Sequence, residues 1–376
     1  TVNSARYQKE EGMKFYLAGD YKKASEFTNK KLQDRLGTGD ELMWMLEDGS
    51  AKFAAGNYRG TLESFELAEQ IVQNFESRAD MNFRRGAAEI GAAYTNPNAL
   101  PYKGYYYEKM LINIYKALAY MALDEQDAAL VEIRRARFRQ KMAEDEFQKE
   151  ISEEEDNLKN EDQQLKEAGT DMTTEKILQM DQIKSDLENI KQRKKTKYGN
   201  YINPFVTYIS AIGYLMEGDF AGACFDLKNL YEIDPSNEYI KQAFVSCAKI
   251  TGYKLPTELA DAKQLPFDFS KNSIFVVFAN GLSAARQERQ IELILPYVGY
   301  TGIAYPVLEY FPTDIERAII KTSNGKEYKT EQISDMDAIV SQCIDEELPG
   351  IITRIIVSTI VKEATAIAAQ EAARLA

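Results

Sequence analysis

One short phrase recurs along the chain with constant internal spacing, and it constrains the fold more than any other feature. It occupies residues 12–24 (GMKFYLAGDYKKA), 49–61 (GSAKFAAGNYRGT) and 211–223 (AIGYLMEGDFAGA). In each copy a small residue precedes a Gly-Asp/Asn-aromatic triplet by seven positions, and a small or short residue follows the aromatic by three. Recurrence of this kind predicts stacked copies of one supersecondary unit.

Each position of the phrase suits two helices joined by a tight turn. Gly ends the first helix in the left-handed conformation, and Asp or Asn caps the second. The small residues let the helices approach closely, and the aromatic fills the gap between them. The pattern resembles the tetratricopeptide repeat, a helix-turn-helix unit of about 34 residues. A weaker copy covers 113–136, without the Gly. The predicted repeat positions are Gly12, Gly19, Tyr21 and Ala24; Gly49, Gly56 and Tyr58; Ala117, Ala129 and Ala136; and Ala211, Gly218, Phe220, Ala223 and Pro235.

A charged stretch separates the last two repeats. Residues 144–167 carry eleven acids and three lysines, whereas 189–197 carry five bases and no acid. Apolar residues recur at heptad-like spacing on both sides of Gly169. We predict an antiparallel helical hairpin over 139–198 that projects roughly 40 Å, with Lys195 near the acids at 144–146. Such an arm would be dispensable for stability; the alternative is a flexible, solvated insertion.

The pattern changes after Pro256. Several strand-length segments then carry β-branched and aromatic residues, and Asn324-Gly325 predicts a two-residue hairpin turn. We expect an antiparallel sheet of four or five strands, followed by one helix over 335–347 and a second that begins at Pro349. The predicted strands are 273–279, 289–296, 299–308 and 315–321, with a further strand after the turn.

The fold class predicted from these patterns is α+β and mainly α. A helical-repeat domain covers 1–255 with the hairpin inserted, and a small α+β domain that ends in an amphipathic helix covers 256–376. The last helix has a wide apolar face. That face either packs on the β domain, which we favour because an exposed stripe would aggregate, or serves as a partner surface. The candidate partner-surface residues are Tyr105, Tyr106, Ile352, Ile356 and Ile360.

Two further groups allow alternative interpretations. The tyrosines at 102 and 105–107 form either half-buried packing, which we favour, or a ligand platform. Glu132, Arg134 and Arg135 form either the polar side of a repeat helix, which we favour, or an ion-pair cluster.

Composition excludes several classes of function. The chain carries 59 Asp and Glu against 46 Lys and Arg, a net charge of −13, and no histidine. The acidic balance argues against nucleic acid, whose binding requires neutralisation of phosphates, and against adsorption to anionic lipid. Without histidine there is no Ser-His-Asp triad and no HExxH zinc site. Phosphate-binding loops, nucleophile elbows and EF-hand spacings are also absent. We therefore expect no enzyme, no cofactor and no metal.

The three cysteines, Cys224, Cys247 and Cys343, form no CxxC pair. We interpret them as buried small hydrophobic residues. The sequence does not decide whether the first two form a disulfide. No apolar run reaches about 18 residues, so we expect no membrane span.

Several segments together resemble a family of tetratricopeptide-like lipoproteins of the bacterial envelope, whose biochemical function is uncharacterised. The resemblance implies a lipidated N-terminal Cys that anchors the chain to the outer membrane, and genes that accompany those of other envelope lipoproteins, including relatives of curli-secretion pore proteins. The chain begins at Thr1 without Met, which we interpret as a processed start, and the anchor is inferred from the resemblance alone. The matching segments are 101–140, 198–227, 276–296, 302–309 and 334–364.

These observations favour a non-enzymatic binding scaffold on the periplasmic face of the outer membrane, with other envelope proteins as partners and oligomerisation possible. One alternative is a cell-wall enzyme that uses carboxylates of the C-terminal domain, which would have to lie about 5–10 Å apart. The other is a cytoplasmic repeat chaperone of a secretion system. The candidate carboxylates for an enzyme are Glu288, Glu292, Glu309 and Asp314.

Overall fold

Antiparallel helices stack in sequence order through the N-terminal part of the protein. The computed structural model describes residues 5–85, 101–195, 198, 202–265, 273–295 and 299–375. Consecutive helices pair as repeat units, and α11 packs on the last unit. The repeat helices are α1 (Ala5–Leu17) and α2 (Tyr21–Arg35); α3 (Glu41–Ala54) and α4 (Tyr58–Arg85); α5 (Tyr106–Ala122) and α6 (Gln126–Glu167); α9 (Pro204–Glu217) and α10 (Phe220–Ile233); and then α11 (Glu238–Thr251).

The turn of each complete repeat has the predicted chemistry. Gly19, Gly56 and Gly218 adopt φ values of 72°, 75° and 75°, the left-handed region that glycine enters without a Cβ penalty. Asp20 and Asp219 each accept a hydrogen bond from the backbone N–H three residues later, which caps the second helix. The turn geometry thus repeats from the first unit to the last.

Small residues mark the contacts between paired helices. A Cβ added to Gly49 would lie 2.4 Å from the Phe65 ring, so only glycine fits there. The aromatic residues of the first two triplets are only partly covered, and they pack edge-on against Tyr16 and Phe53 of the preceding helix. Pro235 lies in the turn between α10 and α11. The small positions that are fully or almost fully buried are Ala24, Ala117, Ala129, Ala136, Ala211 and Ala223.

The weaker repeat keeps the same turn without the glycine. Asp124 adopts φ 62° at the position that Gly holds elsewhere. Asp tolerates this conformation better than most residues because its short polar side chain bonds locally.

The predicted hairpin is present but is not a free arm. Helix α6 continues without a break from the third repeat to Glu167, and the chain returns through α7 (Thr174–Leu178) and α8 (Asp181–Arg193). Gly169 (φ 72°) lies in the turn, and Asp162 accepts bonds from the backbone N–H and the hydroxyl of Thr174. Leu165 near the turn and the apolar residues of the returning arm face the C-terminal part of the chain and are buried there.

The C-terminal part contains two small antiparallel sheets rather than one sheet of four or five strands. Strands β1 (Ala285–Leu295) and β2 (Gly299–Glu309) pair over their full length, and β3 (Ile319–Lys321) pairs with β4 (Glu327–Lys329). The segment 273–279, predicted as a strand, has no strand structure. A pairing partner is what makes a strand, and a β-rich composition alone does not supply one.

The β3–β4 turn is one residue longer than predicted. Thr322 donates its backbone N–H to the carbonyl oxygen of Lys326, which leaves three residues at the tip. Gly325 adopts φ 82°. This is a three-residue loop with Gly in the left-handed position, not a two-residue turn.

The two predicted C-terminal helices form one helix. Helix α12 runs from Met336 to Leu375 with Pro349 inside it. Proline normally ends a helix, because it lacks an N–H and its ring clashes with the preceding turn. Here Leu348 and Ile352, on either side of it, are both fully buried in one core, so packing on the same surface holds the two halves in line.

That core joins the hairpin, the β1–β2 ribbon and α12. Leu165, Ile177, Ile183 and Ile190 of the hairpin share one cluster with Ile291 and Ile303 of the ribbon and with the apolar face of α12. The expectation that the hairpin is dispensable therefore does not hold, because its removal would expose α12.

The basic end of the hairpin also binds α12 and its approach. Lys194 pairs with Asp345, at 2.5 Å, and Lys195 with Asp335, at 2.7 Å. The predicted approach of Lys195 to the acids of the outgoing arm stays a prediction. The side chains at 144–146 lie outside the described set. The structure confirms the fold class, helical repeats followed by a small antiparallel β region and a C-terminal helix, while the domain boundary near 255 stays a prediction.

We expect Gly218→Ala to lower the free energy of unfolding by about 1 kcal/mol, since an L-residue is strained at φ 75°. No atom lies within 4 Å of the added Cβ, so the cost is conformational. Asp124→Gly removes the same strain and is expected to change stability in the opposite direction. Chemical denaturation of both variants measures this, and effects of the same sign would contradict it.

We expect Ile356→Asp to unfold the C-terminal part, because its side chain is wholly buried and an apolar residue of this size contributes roughly 1.5–3 kcal/mol on burial. The matched control is Ala366→Asp, on the exposed end of the same helix. Circular dichroism and light scattering compare the two, and a folded Ile356→Asp variant would argue against the shared core.

Candidate protein-binding groove

The first helices of the repeats line one large open groove. Its volume is about 3460 Å³, several times the roughly 300–1,000 Å³ of a small-molecule site. The facing wall is formed by the stretch 273–288 and by residues between Phe311 and Asp337. A space of this size fits a macromolecular segment. Representative lining residues from α1, α3, α5, α9 and α11 are Tyr16, Phe53, Leu118, Tyr208 and Tyr239.

Aromatic contacts connect neighbouring helices along the groove. The Tyr16 hydroxyl donates to the carbonyl oxygen of Ser50 at 3.0 Å, which ties α1 to α3. The rings of Phe53 and Tyr115 meet edge-on at 5.0 Å, which ties α3 to α5. Burial raises the pKa of Tyr115 and of Tyr208, so both phenols stay protonated and can donate hydrogen bonds.

The tyrosine cluster at 102–107 is half-buried packing. Tyr105 stacks on Tyr107 with ring centroids 5.5 Å apart, and the guanidinium group of Arg286 on β1 lies 4.9 Å from the centre of the Tyr105 ring. Burial raises the pKa of Tyr105 and of Tyr107. Lys109 lies 5.3 Å from the centre of the Tyr106 ring. Tyr105 and Tyr106 both line the groove, and the Tyr105–Arg286 contact holds the start of α5 against the β ribbon.

The candidate partner residues of α12 belong to the interior. Ile352 and Ile356 have no exposed surface, and Ile360 is 5% exposed. They pack on the hairpin and the β1–β2 ribbon. They are not a partner surface, because the intramolecular core covers them.

A buried ion-pair cluster joins the second and third repeats, which corrects the interpretation of Glu132 and Arg135 as a merely polar helix face. The Lys116 ammonium group, buried on α5, lies 2.8 Å from Glu69 of α4 and 3.2 Å from Glu132 of α6. The Asn113 amide donates to both carboxylates, and Arg135 lies 2.8 Å from Glu132. Arg134 instead pairs with Glu217 at the surface.

Hydrogen bonding outweighs desolvation in this cluster. Burial alone would raise the pKa of Glu69. The hydrogen bonds from Lys116 and Asn113 lower it by more than burial raises it, so the net pKa lies below the ordinary value. Burial lowers the pKa of Lys116, and its bonds to Glu66 and Glu69 raise it above the usual range. Sequence reasoning missed this site, although a lysine inside the apolar run NIYKALAYM was a signal for it.

The carboxylates proposed for an enzyme do not form a site. Glu288 and Glu292 lie four positions apart on β1, about 14 Å at 3.4 Å per residue. Glu309 pairs with Ala285, and the odd offset from Glu288 places these two side chains on opposite faces of the ribbon. All four candidates, including Asp314, are exposed.

The cysteines are buried free thiols, and burial raises the pKa of Cys247 to about 12. Among the described side chains, no cluster of acids and cysteines could hold a metal ion. No helix in the described ranges is long and apolar enough to cross a membrane.

Comparison with models of known protein families finds no match, and none of the curated proteins is significantly similar in sequence. Among solved structures, the chain is similar to the "TPR2AB-domain:pHSP90-complex of yeast Sti1", with 16% identity and a TM-score of 0.23, over 66% of this chain and 84% of that chain. At this TM-score the likeness carries no argument about function. The resemblance to envelope lipoproteins stays an expectation from the sequence.

We expect Lys116→Met to lower the free energy of unfolding by about 3 kcal/mol, because it removes the buried cation that Glu69 and Glu132 share. The two carboxylates then keep only the more exposed guanidinium groups of Arg139 and Arg135. The control Lys14→Met, at an exposed pair, should cost less than about 1 kcal/mol.

The effect should depend on pH. Because folding lowers the pKa of Glu69, this carboxylate contributes to the free energy of unfolding. The contribution is complete above the ordinary pKa of 4.5 and is lost as the pH falls through the lower pKa of the folded state. In Lys116→Met, protonation at low pH instead removes the buried negative charge that has lost its ammonium partner. The difference between wild type and Lys116→Met should shrink from pH 7 to pH 4 in denaturation experiments, and a constant difference would exclude this account.

Proposed function

We propose that this protein is a non-enzymatic protein-binding scaffold. The observation that carries the proposal is the groove, whose wall is built from the first helices of successive repeats. Its volume suits a segment of another protein rather than a small molecule. The exposed, separated carboxylates of the β region provide no acid–base pair, so they do not favour the enzymatic alternative.

We further propose that the scaffold acts in the bacterial cell envelope. It would be held at the periplasmic face of the outer membrane by an N-terminal lipid anchor, and it would assemble or stabilise an envelope or appendage complex. The support is the sequence resemblance over roughly residues 100–365, which includes the groove-lining tyrosines and α9. The cytoplasm is the alternative location.

The packing supports a groove that keeps its shape. The Lys116 cluster fixes α4, α5 and α6 to one another from inside. The Tyr105–Arg286 contact ties the same region to β1. A preformed surface loses less conformational entropy on binding than a flexible one.

The test places a photo-crosslinking amino acid at Met43, Leu118 or Tyr239, which line the groove, in living cells of the native host. The matched controls are Phe138 and Phe225, which are 64% and 55% exposed and lie outside the groove lining. Groove positions should give a shared adduct that the controls lack. Adducts confined to the controls would refute the groove as the binding site, and a cytoplasmic partner would refute the envelope role.

A further inference from the structure

An uncharged apolar segment lies exposed on the wall of the groove. Residues 273–279 (SIFVVFA) contain no charged side chain, and all line the groove. Ile274 is 91% exposed, and Val276 and Phe278 are 49% and 42% exposed. Phe275 and Val277, which alternate with them, are 39% and 42% exposed, so both sides of the segment keep exposed apolar surface.

The backbone of this segment is also open. With other described residues, 274–279 makes no backbone-to-backbone hydrogen bond. Its downstream end is held in place, because the Asn280 amide donates to the carbonyl oxygen of Ile315 and the backbone N–H of Ala284 donates to Asp337. Proteins usually protect an open strand edge with charges, proline or a covering element. Here the segment has high strand propensity and contains no charge and no proline, and no described strand pairs with it.

We propose that an extended segment of the partner protein pairs with residues 274–278 as an added β-strand while its side chains enter the groove. This inference rests on the proposed function and specifies how the partner binds. Backbone hydrogen bonds would supply affinity, and the alternate side chains would supply specificity. The aromatic floor of the groove, with Tyr208 and Phe53, receives the apolar side chains of that strand.

The surface area that residues 274–278 can still bury is too small for a stable interface by itself. This favours a partner that also fills the groove over a second copy of this chain. Phe275 and Phe278 would each bury about 150–250 Å² if wholly covered, and more than half of each is covered already. A strand pair between two copies would cover only the remaining exposed part of five side chains on each copy, which falls short of the roughly 1,200–2,000 Å² of a stable interface.

Charge indicates the chemistry of the partner. The described lining of the groove carries eleven Asp or Glu and five Lys or Arg. Four of these acids pair with cations outside the lining, and two of the cations pair with acids outside it. The acids are Asp40, Glu316, Asp335 and Glu346, and the cations are Lys109 and Arg354. The lining therefore keeps an acidic excess. The partner strand should therefore alternate apolar residues with polar ones and carry Lys or Arg at its ends.

The test uses the whole chain and a fluorescent peptide whose core alternates valine with threonine and whose ends carry lysines. The peptide should slow amide hydrogen exchange at 274–278, and a twin with glutamates at its ends should bind at least about tenfold more weakly. Exchange at 274–278 that the lysine peptide leaves unchanged at saturation would overturn the proposal, as would equal binding of the two peptides.

Two proline variants test the strand register. Successive N–H groups of a strand point to opposite edges, so Val276→Pro and Val277→Pro should differ, one of them weakening peptide binding at least about tenfold more than the other. Val276→Thr and Val277→Thr are the matched controls and should bind normally. Equal effects of the two prolines would overturn strand addition.

Failure of strand addition and failure of the binding groove give different results. If groove positions 43 and 118 crosslink to a partner in cells but the peptide leaves exchange at 274–278 unchanged, strand addition fails and the binding groove stands. If the groove positions also fail, both proposals fail. Sedimentation of the free protein as a dimer that Val276→Pro or Val277→Pro converts to a monomer would overturn the proposed partner in favour of a second copy.

Discussion

Burial of the apolar face of α12 by the hairpin and the β1–β2 ribbon is the interaction on which the C-terminal half depends. Neither the two-stranded ribbon nor the hairpin has a core of its own, and an isolated two-stranded ribbon is at best marginally stable in water. Polar contacts fix the angle between these elements. The buried Tyr305 of β2 donates to Asp186 of α8 at 2.7 Å, and Arg289 of β1 pairs with the same carboxylate. The inserted helices are thus a layer of the domain that follows them.

The junction between the second and third repeats differs from the C-terminal core, because it contains a buried polar cluster. Lys116 and Asn113 satisfy two carboxylates that would otherwise be costly to bury. Charged clusters of this kind add little net stability compared with apolar packing, but they tolerate only one arrangement of the helices. In this protein that arrangement sets the spacing between α4, α5 and α6, and with it the curvature of the groove.

Local signals in the sequence predicted local structure well. Gly19, Gly56 and Gly218 mark turns because the left-handed conformation is a property of the residue itself. The elements that depend on distant partners were not predictable in the same way. Pro349 lies inside a helix because packing overrides its local cost. The segment 273–279 pairs with no strand in the described part of the chain despite its composition. The Lys116 cluster joins residues 47 and 16 positions apart, a relation that one sequence does not display.

Helix α6 belongs to two structures at once. Its first turns form the third repeat, around Ala129 and Ala136, and its far end carries Leu165 into the core of α12. A continuous helix of 42 residues is about 63 Å long. No linker separates its two ends. A change in the tilt of the third repeat would therefore move the distant hairpin turn with it instead of being absorbed between two domains.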